Sequence, residues 1–321
     1  MKMLRTLFPL MLSLLTIGLA QAEPTYPNKP VKLLVGFAPG GATDLLARFY
    51  AKNLTEQLGQ TFIVENRPGA GGNTAINVLT QSDPDGYTIA MGANYIASNA
   101  ALKRNPYDWK SELAPLAMIA GTPNLLVVPE NSKINSINEL ILAAKQSSAQ
   151  LTYGSAGMGT SIHLAGELFQ NMANVKFTHV PYKGVSPAEI DLVSGRVDMM
   201  FGSISTALPL VEAKKLKAIA ITGPSRLKKY PDIPTISETG LKGFDVQAIY
   251  FLVAPAKTPT AVQQKIAQAV EKIAKQPDTI AFLEGIYANP MPGGPAETKA
   301  FLQSEYLKWQ KLVNATGLKV D

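Results

Sequence analysis

The chain has 321 residues, of which 46% are hydrophobic and 17% are charged, and it contains no cysteine. This is the composition of an ordinary globular protein, long enough for two domains with their own cores, and without cysteine it can hold no disulfide, cysteine-ligated zinc or lipoprotein anchor. The formal net charge is +6, but the basic residues are scattered and lack the interleaved aromatic residues of a nucleic-acid surface.

The first 22 residues are typical of a secretory signal peptide. Lys2 and Arg5 supply a basic start, Leu7 to Leu19 is apolar, and Ala20-Gln21-Ala22 is a cleavage site of small residues, so the mature chain begins at Glu23. Removing the two positive charges of Lys2 and Arg5 leaves a net charge of +4. The apolar stretch is short for a membrane span. We therefore expect a soluble protein exported to the periplasm of a Gram-negative bacterium.

The mature chain begins with a strand, a glycine loop and a helix in succession. Val31–Val35 is an apolar run that predicts a buried strand, Pro39-Gly40-Gly41 breaks it, and the following helix ends at Gly59. Thr43 or Asp44 can cap the start of the helix. Such a loop presents free backbone N–H groups and the positive end of the helix dipole, and so can hold an anion without any charged side chain. Many α/β proteins form the same turn for packing reasons alone.

The next elements continue an α/β pattern. Strands are predicted at Thr61–Glu65 and Tyr87–Gly92 with a helix between them, and this β-α-β-α-β order is that of a parallel sheet with right-handed crossovers. The segment from Asn94 to Leu116 is less regular and is interrupted by Pro106 and Pro115. A second series of strands and helices is then predicted, in order, at Leu125–Val128, from Ser136, and at Leu151–Tyr153, Thr160–Met172, Lys176–Val180, Pro187–Val193, Val197–Phe201, Ser205–Ala213 and Leu216–Ile221.

The C-terminal part completes the first unit, whose sheet has only three strands of its own. Its predicted elements are a strand and three helices, at Tyr250–Val253, Pro259–Lys275, Pro277–Glu284 and Pro295–Asn314. If they return to the first sheet, two lobes are joined by two crossovers, near Gly121–Pro123 and Phe244–Gln247. Lobe 1 then comprises residues 23–123 and 247–321, and lobe 2 comprises residues 124–246. A cleft between lobes is the usual place for a small ligand.

The second lobe contains another glycine loop between a strand and a helix. It includes Tyr153-Gly154-Ser155-Ala156-Gly157, and the hydroxyls of Ser155, Thr160 and Ser161 add further donors. Open α/β sheets bind ligands beyond the carboxyl ends of their strands, and each lobe has one such loop there. Both loops favour negative groups and neither contains Lys or Arg. We therefore expect a small carboxylate enclosed between the lobes.

Short motifs along nearly the whole mature chain carry a family resemblance. They are Tyr26-Pro27-Asn28-Lys29-Pro30, Phe37-Ala38-Pro39-Gly40-Gly41 with Asp44 and Ala47-Arg48, Val64-Glu65-Asn66-Arg67-Pro68-Gly69-Ala70-Gly71-Gly72, Pro84-Asp85-Gly86-Tyr87-Thr88, Tyr153-Gly154-Ser155-Ala156-Gly157, His163-Leu164-Ala165-Gly166-Glu167, Val180-Pro181-Tyr182-Lys183-Gly184 and Pro231-Asp232-Ile233-Pro234-Thr235. In this order they resemble the Bug-type periplasmic solute-binding receptors of tripartite tricarboxylate transporters.

The resemblance implies a two-lobed α/β periplasmic-binding-protein fold (a Venus flytrap), type II-like with two crossovers, in which each lobe is a largely parallel sheet flanked by helices. It implies a receptor without enzymatic activity or cofactor that delivers its solute to small and large integral-membrane subunits. It also implies that one ligand carboxylate is held by backbone amides and waters from the first-lobe loop and the Ser155 loop. We expect a monomer that binds no nucleic acid.

The candidate ligand-binding residues combine both loops with positions that vary with the ligand. They are Phe37, Gly40, Gly41, Ala42, Thr43, Asp44, Asn94, Tyr95, Ser155, Ala156, Gly157, Gly159, Thr160, His163, Tyr182, Asp198 and Tyr250. The chain departs from the family at Ala38, where a second proline is usual, and at Ile249-Tyr250-Phe251, where a tryptophan is frequent. The solute therefore stays open among dicarboxylates, tricarboxylates, acidic amino acids and aromatic carboxylates. Tyr95 and Tyr250 would suit an aromatic acid or serve the core.

Several charged candidates have a structural alternative. Asp44 can cap its helix, and Arg48 can form a salt bridge with Asp44 or Glu65. His163 could share a metal with a carboxylate one helical turn later, but a hydrogen-bonded structural histidine is favoured and no metal is expected. Asp198, predicted at the cleft end of a strand, could accept a ligand amine or cap the next helix.

Two other functions stay open at this point. A secreted hydrolase would use Ser155, but a nucleophile elbow needs glycine where Tyr153 stands, and the only histidines are His163, on the next helix, and His179. A regulatory partner of a membrane sensor would have the same ligand-binding features as a transport receptor.

Overall fold

The computed structural model describes residues 26–146 and 150–316, so the predicted signal peptide lies outside the described residues. The strands are β1 (Val31–Val35), β2 (Phe62–Asn66), β3 (Thr88–Ala93), β4 (Leu113–Pro129), β5 (Thr152–Ser155), β6 (Thr178–Pro181), β7 (Met199–Ser203), β8 (Leu216–Ile221), β9 (Gln247–Pro255) and β10 (Asn289–Pro290). The helices are α1 (Ala42–Leu58), α2 (Asn73–Thr80), α3 (Tyr95–Ala101), α4 (Trp109–Glu112), α5 (Ile137–Gln146), α6 (Ser161–Ala173), α7 (Val185–Val193), α8 (Ile204–Glu212), α9 (Thr260–Ala274), α10 (Pro277–Gly285) and α11 (Pro295–Thr316).

The first three strands form the predicted parallel arrangement. β1 pairs in parallel with β2 on one side and β3 on the other. Helix α1 packs on this sheet through Leu46, Tyr50 and Leu54, which recur at helical spacing and are fully buried. The helix ends at Gly59, whose φ of 72° is the left-handed conformation that glycine adopts at helix ends. The predicted strand, loop and helix are confirmed.

Strand β4 is far longer than the sequence indicated. It runs for 17 residues, and its first part, together with the short helices α3 and α4, occupies the segment from Asn94 to Leu116, for which only a less regular structure was predicted. Pro115 is tolerated inside the strand because the pairing register with β9 shifts between Pro115 and Ala117, and such an irregularity needs no ladder hydrogen bond from the proline.

Strand β4 also divides the sheet into two parts that we call half-sheets. The first half-sheet contains β2, β1, β3, β9, β10 and residues 113–123 of β4, and the second contains residues 124–129 of β4 with β5, β6, β7 and β8. The outer strands pair in parallel, whereas β4 and β9 pair antiparallel with their neighbours. The α/β class is confirmed, with a mixed sheet at its centre. The division into lobes stays a prediction.

The C-terminal helices return to the first half-sheet as expected. Helices α9 and α11 pack on β4, and α11 also packs on α3. Leu302 and Trp309 of α11 are buried, and the Trp309 indole N–H donates to a Glu305 carboxylate oxygen at 2.9 Å. In the part of the chain that the structure describes, no helix combines the length and apolar character needed to cross a membrane.

Candidate ligand-binding site

The loop between β1 and α1 leaves backbone donors free. Gly41 is the N-cap in an extended conformation, and no side chain caps the helix. The prediction that Thr43 or Asp44 caps it is wrong because both lie inside the first helical turn. Among the described residues, none accepts a hydrogen bond from the amides of Gly41, Ala42 or Thr43. The start of α1 therefore offers unpaired N–H groups at the positive end of its dipole.

Asp44 supports this loop from behind. Its buried carboxylate accepts hydrogen bonds from the Gly40 N–H at 3.0 Å, from Asn66 at 2.9 Å and from two guanidinium nitrogens of Arg48 at 2.9 and 3.0 Å. Burial raises the pKa of this carboxyl, but the hydrogen bonds from Arg48, Asn66 and Gly40 outweigh burial and lower its pKa overall. The predicted Arg48–Asp44 salt bridge is confirmed. Asp44 holds the loop in place with its charge already compensated.

The loop between β5 and α6, in the second half-sheet, also leads from a strand to a helix N-terminus with unpaired amides. Thr160 is the N-cap, and its hydroxyl oxygen accepts from the His163 N–H at 3.4 Å while donating to the Gly157 carbonyl at 2.7 Å. Within the described ranges, no group accepts from the amides of Ser161 and Ile162. A second helix N-terminus thus presents unpaired donors.

A buried histidine, His163, and a partly buried one, His179, hold the second loop. His163 Nδ1 accepts from the Gly159 N–H at 3.1 Å. Ser155 Oγ accepts from the Gly157 N–H at 3.0 Å and lies 2.6 Å from His179 Nε2. Burial lowers the pKa of His179 to about 4, and burial together with His179 lowers the pKa of His163 well below its usual range. Both imidazoles are therefore neutral near pH 7, and His163 keeps the acceptor that Gly159 needs.

The two helix N-termini face one cavity, in which the centre of a water molecule can occupy about 40 Å³. Its walls are Phe37, Gly41, Ala42, Thr43, Ala93, Asn94, Tyr95, Asn124, Ala156, Thr160, Ser161, Ile162, Val185, Ser203, Ala248 and Tyr250. None of these wall residues carries a charged side chain. Burial raises the pKa of Tyr250 to about 12 despite the nearby Thr122 and Thr43 hydroxyls, so its phenol stays protonated. The cavity therefore offers hydrogen-bond donors and apolar surface.

Nine of the candidate residues lie in this wall. They are Phe37, Gly41, Ala42, Thr43, Asn94, Tyr95, Ala156, Thr160 and Tyr250. Six others lie behind it or at its edge and support the two loops: Gly40, Asp44, Ser155, Gly157, Gly159 and His163. Contact of each with a ligand stays a prediction, and the nine wall residues are the ones placed to make it.

Tyr182 and Asp198 lie away from the cavity. The Tyr182 hydroxyl donates to Asp191 at 2.8 Å. Asp198 precedes β7, and its carboxylate accepts from the backbone N–H of Thr152 at 2.7 Å and from its hydroxyl at 2.8 Å. The prediction that Asp198 lies at the cleft end of its strand is wrong: the cavity lies at the opposite end, where Ser203 contributes to the wall.

Sequence reasoning missed several wall residues. Val185 is the first residue of α7, Ser203 is the last residue of β7, and Asn124 lies within β4. The rule that ligands bind at carboxyl strand ends would have identified Ser203, the last residue of β7. Val185 and Asn124 reach the cavity only through the tertiary fold.

Direct contacts between the two half-sheet regions border the cavity, and we call them the closure seam. Its hydrogen bonds run from Ala38 N to Lys183 O (3.1 Å), from Ser186 Oγ to Pro39 O (3.1 Å) and from Ser98 Oγ to Gly159 O (2.5 Å). Glycines bring backbone into contact here: a Cβ on Gly71 would lie under 3 Å from the Met158 carbonyl, and one on Gly159 would lie under 3 Å from Asn99 Oδ1. The structure is therefore closed over the cavity.

The geometry does not suit the hydrolase alternative or a metal site. Although His179 Nε2 lies 2.6 Å from Ser155 Oγ, Ser155 is fully buried and its Oγ accepts from the Gly157 N–H, so its hydroxyl is not exposed to a substrate. His163 Nε2 lies 3.8 Å from a Glu167 carboxylate oxygen. Over residues 26–146 and 150–316, no group of three or more His, Cys, Asp or Glu residues could hold a metal ion.

Comparison with known proteins identifies relatives along almost the whole chain. The family model described as tripartite tricarboxylate transporter family receptor matches residues 46–318. The solved structure of Rpa4515 from R. palustris with adipate superposes with a TM-score of 0.87 at 33% identity, covering 91% of this chain and 98% of that one. The structure of MatC from Rhodopseudomonas palustris with bound malate superposes with a TM-score of 0.86 at 30% identity, covering 90% of this chain and 100% of that one. The structure of the periplasmic binding protein BugD superposes with a TM-score of 0.87 at 29% identity, covering 91% of this chain and 99% of that one. The expected periplasmic-binding-protein fold is confirmed.

Proposed function

The chain belongs to the tripartite tricarboxylate transporter receptor family, and we propose that it captures a small carboxylate between two lobes. The members of this family are solute-binding receptors and not enzymes. The lobes are those expected from the sequence, residues 23–123 with 247–321 and residues 124–246. One observation carries the proposal: the helices α1 and α6 direct unpaired amides into one cavity from opposite half-sheets, and no wall residue is charged.

This arrangement favours carboxylates over other solutes. Helix N-termini stabilise negative groups through their N–H donors and dipole, and the hydroxyl of Thr43 adds a donor beside them. A cationic ligand group would find no Asp or Glu in the cavity wall. The adipate and malate bound to the two R. palustris relatives support the same chemical class. We place this protein's ligand among carboxylates that carry no amine.

The cellular role that we propose follows from the family. The mature chain, beginning at Glu23 after removal of the signal peptide, acts in the periplasm and delivers its solute to large and small membrane subunits of a tripartite tricarboxylate-type transporter. Cell fractionation and the mass of the purified periplasmic protein test the first part. Loss of carboxylate uptake in a strain lacking this protein, restored by the wild-type chain, tests the second.

The binding experiment is a titration calorimetry screen of ligand-stripped mature protein. The panel contains straight-chain dicarboxylates of four to eight carbons, malate, citrate, benzoate and monocarboxylates, with glucose and putrescine as neutral and cationic controls. We expect saturable binding of at least one carboxylate and none of either control. Binding confined to neutral or cationic solutes would refute the proposal.

A further inference from the structure

Asn124 lies where the chain passes from the first half-sheet to the second. Its backbone N–H donates to Thr222 Oγ1 at 2.7 Å, and its carbonyl accepts from the Thr222 N–H at 3.0 Å. Thr222 in turn follows β8, and its carbonyl accepts from the Val246 N–H at 3.0 Å just before β9. The backbone of Asn124 is therefore held where both connections between the half-sheets meet, and this fixes the position from which its side chain extends.

The Asn124 side chain has a donor without an acceptor. The residue is only 1% exposed, and its Oδ1 accepts from Ser161 Oγ at 3.4 Å, which leaves the NH₂ group for another partner. No described residue accepts a hydrogen bond from Nδ2. A buried NH₂ without a partner is unfavourable, and native structures pair nearly all such groups. Asn124 lines the cavity, and an acceptor bound there would complete the pairing of Nδ2.

The surroundings define the chemistry of that partner. Ser161, which contacts Asn124, is the first residue of α6, so the Asn124 amide lies beside the free amides of Ser161 and Ile162. All three groups are donors, and the wall offers them no anionic side chain. An amide NH₂ can only donate. The matching ligand group is therefore an acceptor, and a carboxylate can accept from several donors at once.

We propose that Asn124 Nδ2 donates to a second carboxylate of the ligand, whose first carboxylate lies at the N-terminus of α1, and that Asn124 thereby selects dicarboxylates over monocarboxylates. This inference rests on the proposed function. Neutral and cationic groups at the same position leave the donors of α6 and Asn124 without a charged acceptor, and charge-assisted hydrogen bonds are the stronger ones.

The test compares matched ligand pairs by titration calorimetry. Each dicarboxylate of four to eight carbons, and malate, is paired with the monocarboxylate in which one carboxylate is replaced by methyl, as in adipate and hexanoate. For wild type we expect tighter binding of a dicarboxylate than of its partner. Asn124→Ala should weaken the dicarboxylate about tenfold and leave the monocarboxylate within about twofold. Asn124→Asp, which has the same shape but brings a carboxylate to a carboxylate, should weaken the dicarboxylate at least about 100-fold.

A matched control separates recognition from folding. Asn53 is also a buried asparagine, but its amide donates to the Phe49 carbonyl within α1 and does not line the cavity. Asn53→Ala should therefore leave the ratio of the two dissociation constants at the wild-type value. Thermal melts of every variant verify that it is folded, and Asn124→Asp provides the test if Asn124→Ala is not.

The outcomes distinguish this inference from the proposed function. If both ligands of a pair lose affinity equally in the Asn124 variants, or if the ratio is unchanged, Asn124 is structural and the inference is wrong. If wild type binds only monocarboxylates, the inference fails while the proposed function stands. If wild type binds no carboxylate at all, both fail together.

Discussion

Gly159→Ala tests whether the closure seam sets the closed state. Gly159 has a φ of 73°, and its carbonyl accepts from the Ser98 hydroxyl across the seam. A Cβ there would lie under 3 Å from Asn99 Oδ1. Asn99 is fully buried, so a shift of its amide displaces packed atoms. The alanine therefore requires either such a shift or a separation of the two sides of the seam.

A second glycine, Gly195, separates the cost of the left-handed conformation from the cost of the overlap with Asn99. Gly195 has nearly the same φ, 75°, but no atom lies within 4 Å of a Cβ built on it. Alanine in this left-handed conformation costs about 1–2 kcal/mol at either position. Gly159→Ala adds the overlap with Asn99, about 1–3 kcal/mol for an overpacked site, and weakens a hydrogen bond of about 1 kcal/mol. A cost of about 2 kcal/mol confined to the closed state corresponds to about 30-fold in Kd.

The assay is titration calorimetry with a carboxylate that the wild type binds, combined with urea unfolding of each variant. Gly195→Ala should lose stability and keep its affinity, whereas Gly159→Ala should lose affinity as well. Asn99→Ala in the Gly159→Ala background should recover much of that affinity because it removes the overlapping atoms. Equal affinities of Gly159→Ala and Gly195→Ala would refute the reasoning.

Three further predictions concern the loops and the ligand. Burial holds the pKa of His179 near 4 against about 6.5 in an unfolded chain, so the folded state binds fewer protons at this residue. The contribution of His179 to stability should be complete above pH 6.5 and decrease by about 3 kcal/mol as pH falls toward 4; urea unfolding of wild type and His179→Gln should show a shallower pH dependence in the variant. Asp44→Asn removes the charge that binds Arg48 and should lower the free energy of unfolding by about 1–3 kcal/mol, measured against Glu271→Gln, an exposed ion-pair partner whose loss should leave stability unchanged. Malate should bind more tightly than aspartate, which has the same carbon skeleton with an amine in place of the hydroxyl, because the wall has no carboxylate for an ammonium group; the reverse order in calorimetry would contradict the assignment of the cavity to amine-free carboxylates.

Sequence reasoning succeeded where the structural signal is local. Gly59 ends α1 as its residue type indicated, and α6 begins at the predicted position, with Thr160 as its N-cap, because helix ends depend on neighbours within one helical turn. The two glycine loops were recognised for the same reason. Asp44 shows the limit of this approach: its partner Asn66 lies 22 residues away in β2, and that contact draws the carboxylate behind the loop.

The long central strand could not be recognised from a local pattern. Leu113–Pro129 is apolar almost throughout and contains Pro115 and Pro123, which normally argue against a central strand. The strand is nevertheless continuous because β9 pairs along its first part and β7 and β8 pair along its last part. Asn124 and Val185 were missed for a related reason, since the folding of the whole chain brings them to the cavity.

The contacts that close the molecule and the residues that line the cavity are largely different, and this has an evolutionary consequence. The seam is built from main-chain carbonyls, glycines and the hydroxyls of Ser98 and Ser186, whereas the cavity adds side chains such as Asn124, Val185 and Ser203 to the backbone amides of α1 and α6. Substitutions that change the solute can therefore accumulate in the cavity wall without altering how the molecule closes. After gene duplication, receptors for different nutrients could diverge at a few wall positions while keeping the same closed outline.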